Sequence, residues 1–140
     1  MAKICPFLWF EDRADEAMKF YLSVFKNSRA LGSQRFEIEG QELIVFNGGP
    51  FHQFNSAISL FVSCETQEEV DELWGKLLEG GEPLQCGWLK DKFGISWQII
   101  PKTLMELLGD PDPLKARKVR EAMLQMVKID IQGLKDAYDS

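Results

Sequence analysis

The sequence predicts an α+β chain in which one β-α-β-β(-β) unit is used twice and a helical tail follows. Three observations carry this expectation. Two amphipathic stretches superpose at one offset, with Ala17 on Val70, Phe20 on Leu73, Tyr21 on Trp74, Val24 on Leu77 and Phe25 on Leu78. The last strand of each unit follows a glycine, Gly40 in the first and Gly94 in the second. After Pro101 the strand-like runs stop and helical spacing takes over. Internal repetition of this kind is a statement about architecture before any residue is assigned a role.

Taken in order, Lys3 to Phe10 is a short apolar strand, with Pro6 suiting an edge or a strand start because proline cannot donate to a ladder. Asp12, or Glu11 with Asp12, is placed to cap a helix carrying Ala14, Ala17, Met18, Phe20, Tyr21, Val24 and Phe25 at 3.6-residue spacing. Asn27-Ser28 ends that helix. Ser33 to Glu39 alternates around Phe36 and Ile38, Glu39-Gly40 turns, and Glu42 to Asn47 forms a buried strand. Gly48-Gly49-Pro50 breaks it, and Phe51 to Asn55 is a loop.

The pattern then restarts. Ala57 to Val62 is a strand, Thr66 caps a helix bearing Val70, Leu73, Trp74, Leu77 and Leu78, and Gly80-Gly81 stops it. Pro83 to Cys86 can add a short strand. Trp88-Leu89 and Phe93 to Ile100 flank the charged corner Lys90-Asp91-Lys92, a hairpin pattern stopped by Pro101. Beyond it come helices over Lys102 to Leu108, from Asp112-Pro113 through Met126, and over Ile131 to Tyr138. Methionines spaced helically in this tail suit core or subunit packing.

The chain has 140 residues, enough for one domain with a real core. Module one spans about residues 3–49, module two about 56–101 and the tail about 102–140. A net charge of −6 argues against nucleic acid as a partner, since phosphate binding needs a basic face. Lys115, Arg117, Lys118 and Arg120 read as a solvated helix face. Cys5, Cys64 and Cys86 are odd in number and widely spaced, the habit of a reducing compartment, and no apolar run has membrane length. A cytoplasmic protein without membrane contact is the expectation.

PFLWFEDRADEAMKFYLSVF, Phe46-Asn47-Gly48-Gly49-Pro50, the strand after Phe54-Asn55, and QCGWLKDKFGISWQIIP followed by LLGDPDP together resemble a known family. It is the PhnB-like, 3-demethylubiquinone-9 3-methyltransferase-like branch of the glyoxalase/bleomycin-resistance/dioxygenase (vicinal oxygen chelate) superfamily. The resemblance extends over nearly the whole chain. It implies two βαβββ modules whose curved mixed sheets enclose a cavity, usually within a homodimer. Between Arg29 and Phe36 the chain is shorter than the family pattern, which leaves open a true deletion or a lost mobile loop.

Metal-dependent relatives hold a divalent ion with a histidine or glutamate on the first strand and a carboxylate on the last strand of each module. The matching positions here are Pro6, Ile44, Ala57 and Gln98. Three offer no donor atom, and a neutral amide is a weak ligand, so no metal and no other cofactor is expected. Strand parity from these positions places Leu8, Phe10, Ser59, Phe61, Ser96 and Gln98 toward the cavity, and Ile58, Leu60, Val62, Trp97 and Ile99 toward the helices. Those six residues are the candidate ligand-binding set. They could equally fill the interior, with Gln98 bonded to a neighbouring backbone group.

No catalytic set is legible. His52, the one histidine, lies in a loop and can be solvated, backbone-bonded or functional. Trp88 with Lys90 and Asp91 can line a pocket mouth or simply form a charged corner. The family resemblance and the apolar pocket together imply a metal-independent protein binding a small apolar or aromatic molecule, as a homodimer. The alternative is an enzyme of the same superfamily, a lyase, isomerase or methyltransferase-like protein using polar cavity residues. Against it, proton transfer needs a titratable group, and the inward positions supply amide and hydroxyl groups. A third reading is an interaction domain with a filled core.

Overall fold

A computed structural model describes Met1–Ser140. Pro6 has no amide to donate, and the first strand accordingly starts just after it, β1 at Phe7–Phe10. The element order is then α1 (Ala14–Val24), β2 (Ser28–Ala30), β3 (Arg35–Ile38), β4 (Gln41–Asn47), β5 (Ser59–Cys64), α2 (Gln67–Leu78), β6 (Glu82–Pro83), β7 (Trp88–Lys90), β8 (Ser96–Pro101), α3 (Lys102–Leu108), α4 (Pro113–Leu124) and α5 (Ile131–Asp139). Two four-stranded mixed sheets result, ordered β1-β4-β3-β2 and β5-β8-β7-β6. The α+β architecture and its repeat are as the sequence implies. The chain separates into two compact units, Met1–Phe54 and Asn55–Ser140.

In the first unit, β1 runs parallel to β4, with Phe7 opposite Ile44 and Trp9 opposite Phe46. β3 and β4 form an antiparallel hairpin closed by Glu39 and Gly40, both at positive φ (48° and 83°). Two successive left-handed residues give the turn whose twist matches flanking strands. β2 and β3 are joined through 31–34, where Leu31 N–H donates to Arg35 O at 2.8 Å. The shortened Arg29–Phe36 segment is thus a closed hairpin as it stands.

Helix α1 is not capped by Asp12 or Glu11. Its N-cap is Arg13, whose side chain makes no capping bond, and the Ala14 N–H donates instead to Asn47 Oδ1 at 2.8 Å. A residue at the end of β4 therefore satisfies the first donor of the helix. At the other end, Ser28 Oγ donates to Leu22 O and Phe25 O at 3.0 and 2.6 Å, taking up free C-terminal carbonyls. Buried Ala17, Met18, Tyr21 and Val24 face the sheet, and Tyr21 stacks on Phe36 at 6.2 Å.

The second unit repeats this plan. Thr66 does cap α2, accepting from Glu69 N–H at 3.1 Å, while Glu69 Oε1 accepts from Glu65 N–H at 2.7 Å. Val70, Leu73, Trp74 and Leu77 form its buried stripe. The β5 strand starts at Ser59 rather than Ala57, which leaves Ile58 in a turn and 80% exposed instead of facing a helix.

The β7–β8 hairpin is organised by Asp91. It is 2% exposed, so it is a buried acceptor and not a solvated corner. Its carboxylate accepts from Phe93 N–H (2.9 Å), Ile95 N–H (3.0 Å) and Trp97 Nε1 (2.9 Å). These bonds hold residues 93–95 in the turn and delay β8 to Ser96.

The tail buries Leu104, Val119, Ile129 and Leu134 around Ile100 of β8, with Met123, Met126 and Tyr138 packed against them. Asp112 and Asp130 cap α4 and α5. The segment before α5 is strapped to the unit by backbone bonds. Cys86 N–H donates to Met126 O (2.8 Å) and Gly87 N–H to Val127 O (2.7 Å). Gln67 closes the strap with both ends of its amide, donating to Ile129 O at 3.0 Å and accepting from Ile131 N–H at 2.7 Å. Of the basic α4 residues, Arg117 and Arg120 are exposed, with Arg117 paired to Glu121, whereas half-buried Lys115 lies 4.3 Å over the Tyr138 ring and half-buried Lys118 donates to Ser140 O at 2.6 Å.

Replacing Asp91 by alanine strands three donors, and each unsatisfied buried group costs about 1–3 kcal/mol. Urea denaturation of Asp91→Ala is expected to show a loss of about 3 kcal/mol or more at unchanged slope, and Asp91→Asn, which keeps one acceptor, a smaller loss.

Candidate functional site

Register decides which side chains share a face, because a one-residue slip inverts the whole strand. In the second unit Ser59 pairs with Ser96, Phe61 with Gln98, Trp88 with Gln98 and Lys90 with Ser96. Ser59, Phe61, Trp88, Ser96 and Gln98 therefore lie on one face. Leu60, Val62, Leu89, Trp97 and Ile99 lie on the other, where Leu89, Trp97 and Ile99 are buried with the stripe of α2.

The Gln98 face is aromatic at its flanks and polar at its centre. Phe61 is 49% exposed, and Trp88, Ser59 and Gln98 are half-buried. Gln98 Nε2 donates to Ser59 Oγ at 2.9 Å, so its partner is a side chain on the neighbouring strand and not a backbone group. Ser96, 1% exposed, exchanges a hydrogen bond of 2.8 Å with Ser56. Ile100 continues the face and is covered by the tail, while Lys90 beside Ser96 pairs with Glu82 at 3.8 Å.

In the first unit the parity differs from the sequence expectation. Phe7, not Pro6, stands opposite Ile44, and Leu8 and Phe10 pair with Val45 and Asn47. Leu8 and Phe10 thus share the side of Leu43, Val45 and Phe36, and Phe36 stacks on Tyr21 of α1. Phe10 is buried and meets Phe54 edge-on at 5.1 Å. The open face instead carries Phe7, Trp9, Ile44 and Phe46, with ring contacts of 5.5 Å (Phe7–Phe46) and 5.2 Å (Trp9–Phe46).

His52 lies edge-on to Trp9 at 4.8 Å, and Trp9 Nε1 donates to Gly49 O at 3.0 Å. A Cβ on Gly48 would come within 2.2 Å of the Trp9 ring, so the Gly48-Gly49 turn is shaped by that indole. The Trp9–His52 contact joins a strand to a loop, and sequence periodicity carries no signal for it. The aromatic face itself was findable, from Phe7, Trp9 and Phe46 at matching parity once the β1–β4 register is known.

The slot residues Ile44 and Gln98 sit on these faces, and no three His, Cys, Asp or Glu side chains converge as a metal-holding group. Glu42, 6% exposed, is occupied within its own unit by Ala2 N–H (2.9 Å) and Arg35 Nε (3.3 Å). Cys64 has no exposed surface, and burial pushes its thiol up from 9.0 to about 12, with Glu69 adding to the rise.

A family model for 3-demethylubiquinone-9 3-methyltransferase matches residues 2–35 and 30–100. The chain belongs to this family. The PhnB protein of Bacillus cereus, described by the same methyltransferase name, is 34% identical. It aligns with 71% of this chain and 99% of its own, at a TM-score of 0.67. A Pseudomonas aeruginosa protein, 18% identical over 72% of this chain and 98% of its own, shares the fold at a TM-score of 0.60. The comparison with curated proteins found no match. In this PhnB-like chain the family match ends at residue 100, so the strapped tail lies outside the matched residues. No helix is long and apolar enough to cross a membrane.

The thiols separate by burial, since only the thiolate is nucleophilic. Cys5 and Cys86 are partly exposed and Cys64 is not. At pH 8 a disulfide reagent is expected to label two thiols per native chain and the third only in denaturant. Cys64 stays protonated in the fold between about pH 9 and 12 while the unfolded chain ionises, so stability falls as pH rises through that window. The slope of stability against pH above 9 is expected to flatten in Cys64→Ala.

Proposed function

We propose that this PhnB-like protein binds a small apolar or aromatic molecule without a metal. The observation that carries the reading is the Gln98 face, where an amide bonded to the Ser59 hydroxyl stands between Phe61 and Trp88 on a partly exposed stretch of sheet. A mostly apolar surface with few, placed polar groups is the composition of organic-ligand sites. The aromatic face of Phe7, Trp9 and Phe46 in the first unit supports the same reading. Leu8, Phe10, Ser59, Phe61, Ser96 and Gln98 were the expected lining; the observed faces favour Phe7 and Trp9 over Leu8 and Phe10 in that role.

Metal independence is supported by the donor chemistry. Ile44 offers no ligand atom, and the Gln98 amide is neutral and already shared with Ser59. The enzymatic alternative has less support. On the Gln98 face the nearest titratable side chains are Lys90 and Glu82, which pair with each other one row away from the amide. The reading includes a cytoplasmic homodimer, with three free cysteines compatible with a reducing compartment.

Incubation with Fe, Mn, Ni, Zn or Co, followed by desalting and elemental analysis, is expected to leave no stoichiometric ion; one tightly held ion per chain overturns the metal-free reading. Tryptophan fluorescence, with Trp9 and Trp88 as reporters, is expected to respond to bicyclic aromatic compounds. Silence across a diverse panel favours a filled surface. Sedimentation equilibrium is expected to return twice the chain mass of 16.0 kDa.

A further inference from the structure

The polar centre of the Gln98 face specifies more than an apolar ligand. Gln98 stands directly across from Phe61 on one neighbouring strand and from Trp88 on the other. Strands lie about 4.8 Å apart, so the Phe61 and Trp88 positions stand about 10 Å apart with the Gln98 side chain between them, and a planar ligand lying over that amide from one aromatic to the other would have about the length of a fused two-ring system. The row is bounded along the strand by the tail at Ile100 and by the Lys90–Glu82 pair beside Ser96.

Gln98 and Ser59 satisfy one hydrogen bond between them and keep further capacity. With Nε2 donating to Ser59 Oγ, the Oε1 acceptor and the Ser59 O–H remain to be used. Turning the amide over exchanges the roles, leaving the NH₂ donors and a serine lone pair. In both arrangements an acceptor and a donor stand side by side. Their complement is an adjacent N–H and C=O, the edge of an amide.

Charge points the same way. Lys90, one row away on the same face, pairs with Glu82 at 3.8 Å, and the row itself carries no charge to pair with a carboxylate or an ammonium. We propose that the Gln98 face recognises a planar, neutral, bicyclic ligand bearing a lactam or carboxamide edge, which pairs with Gln98 and Ser59 between Phe61 and Trp88. This rests on the small-molecule-binding reading and gives it a ligand class.

The test is calorimetric titration of the whole chain with isoquinolone (a bicyclic lactam), its N-methyl derivative and naphthoate, in the native sequence and in Gln98→Leu. One to two neutral hydrogen bonds correspond to about a tenfold preference. The lactam is therefore expected to bind about tenfold tighter than either of the other probes. Gln98→Leu is expected to bring the lactam and its N-methyl derivative within about twofold of each other. Equal affinities in the native chain, a preference that survives Gln98→Leu, or naphthoate as the tightest probe would overturn the amide-edge assignment alone. Failure of all three probes to bind overturns the small-molecule reading with it.

Discussion

Each unit depends on a parallel pairing between its first strand and its last, β1 with β4 and β5 with β8. The chain cannot make such a pair by a hairpin; it needs a crossover, and α1 and α2 supply the helical part of it. The crossover helix must then bury its stripe on one side of the sheet, which leaves the other side open. The candidate site follows from that asymmetry. The buried side consumes Phe10, Phe36, Leu43, Leu89, Trp97 and Ile99, and the open side retains Phe7, Trp9, Phe61, Trp88 and Gln98.

Much of this was legible in the sequence, for reasons that can be named. Helical stripes over Ala14–Val24 and Gln67–Leu78 are set by period alone, and the Thr66 cap is a local device. Alternation in β5 and β8 correctly grouped Ser59, Phe61, Ser96 and Gln98, because β5 and β8 are regular over six residues. Ile58 was misplaced because the strand begins two residues later, at Ser59. In β1 only four residues pair, and their register sets Phe7, not Pro6, opposite Ile44. Register is a property of two strands, and neither sequence segment states it.

The same limit explains Asp91. Lys90-Asp91-Lys92 reads as a charged corner, and in one dimension it is one. Two of its acceptor bonds serve turn amides, but the third goes to the Trp97 indole, a contact that exists only once the hairpin closes. The carboxylate is buried because the turn folds over it. Burial here is a consequence of tertiary structure, and composition gives no hint of it.

The Asn47 bond to the start of α1 has a consequence for how the first unit forms. An isolated helix of 11 residues is marginal in water, and this one has no cap of its own. Its first amide is satisfied 33 positions downstream, at the last residue of β4. The end of the helix is thus completed by a residue that the chain supplies only after both hairpin turns, on the strand that pairs with β1. Asn47 is in effect the latch of the unit, the residue whose arrival reports that the whole β-α-β-β-β circuit has closed.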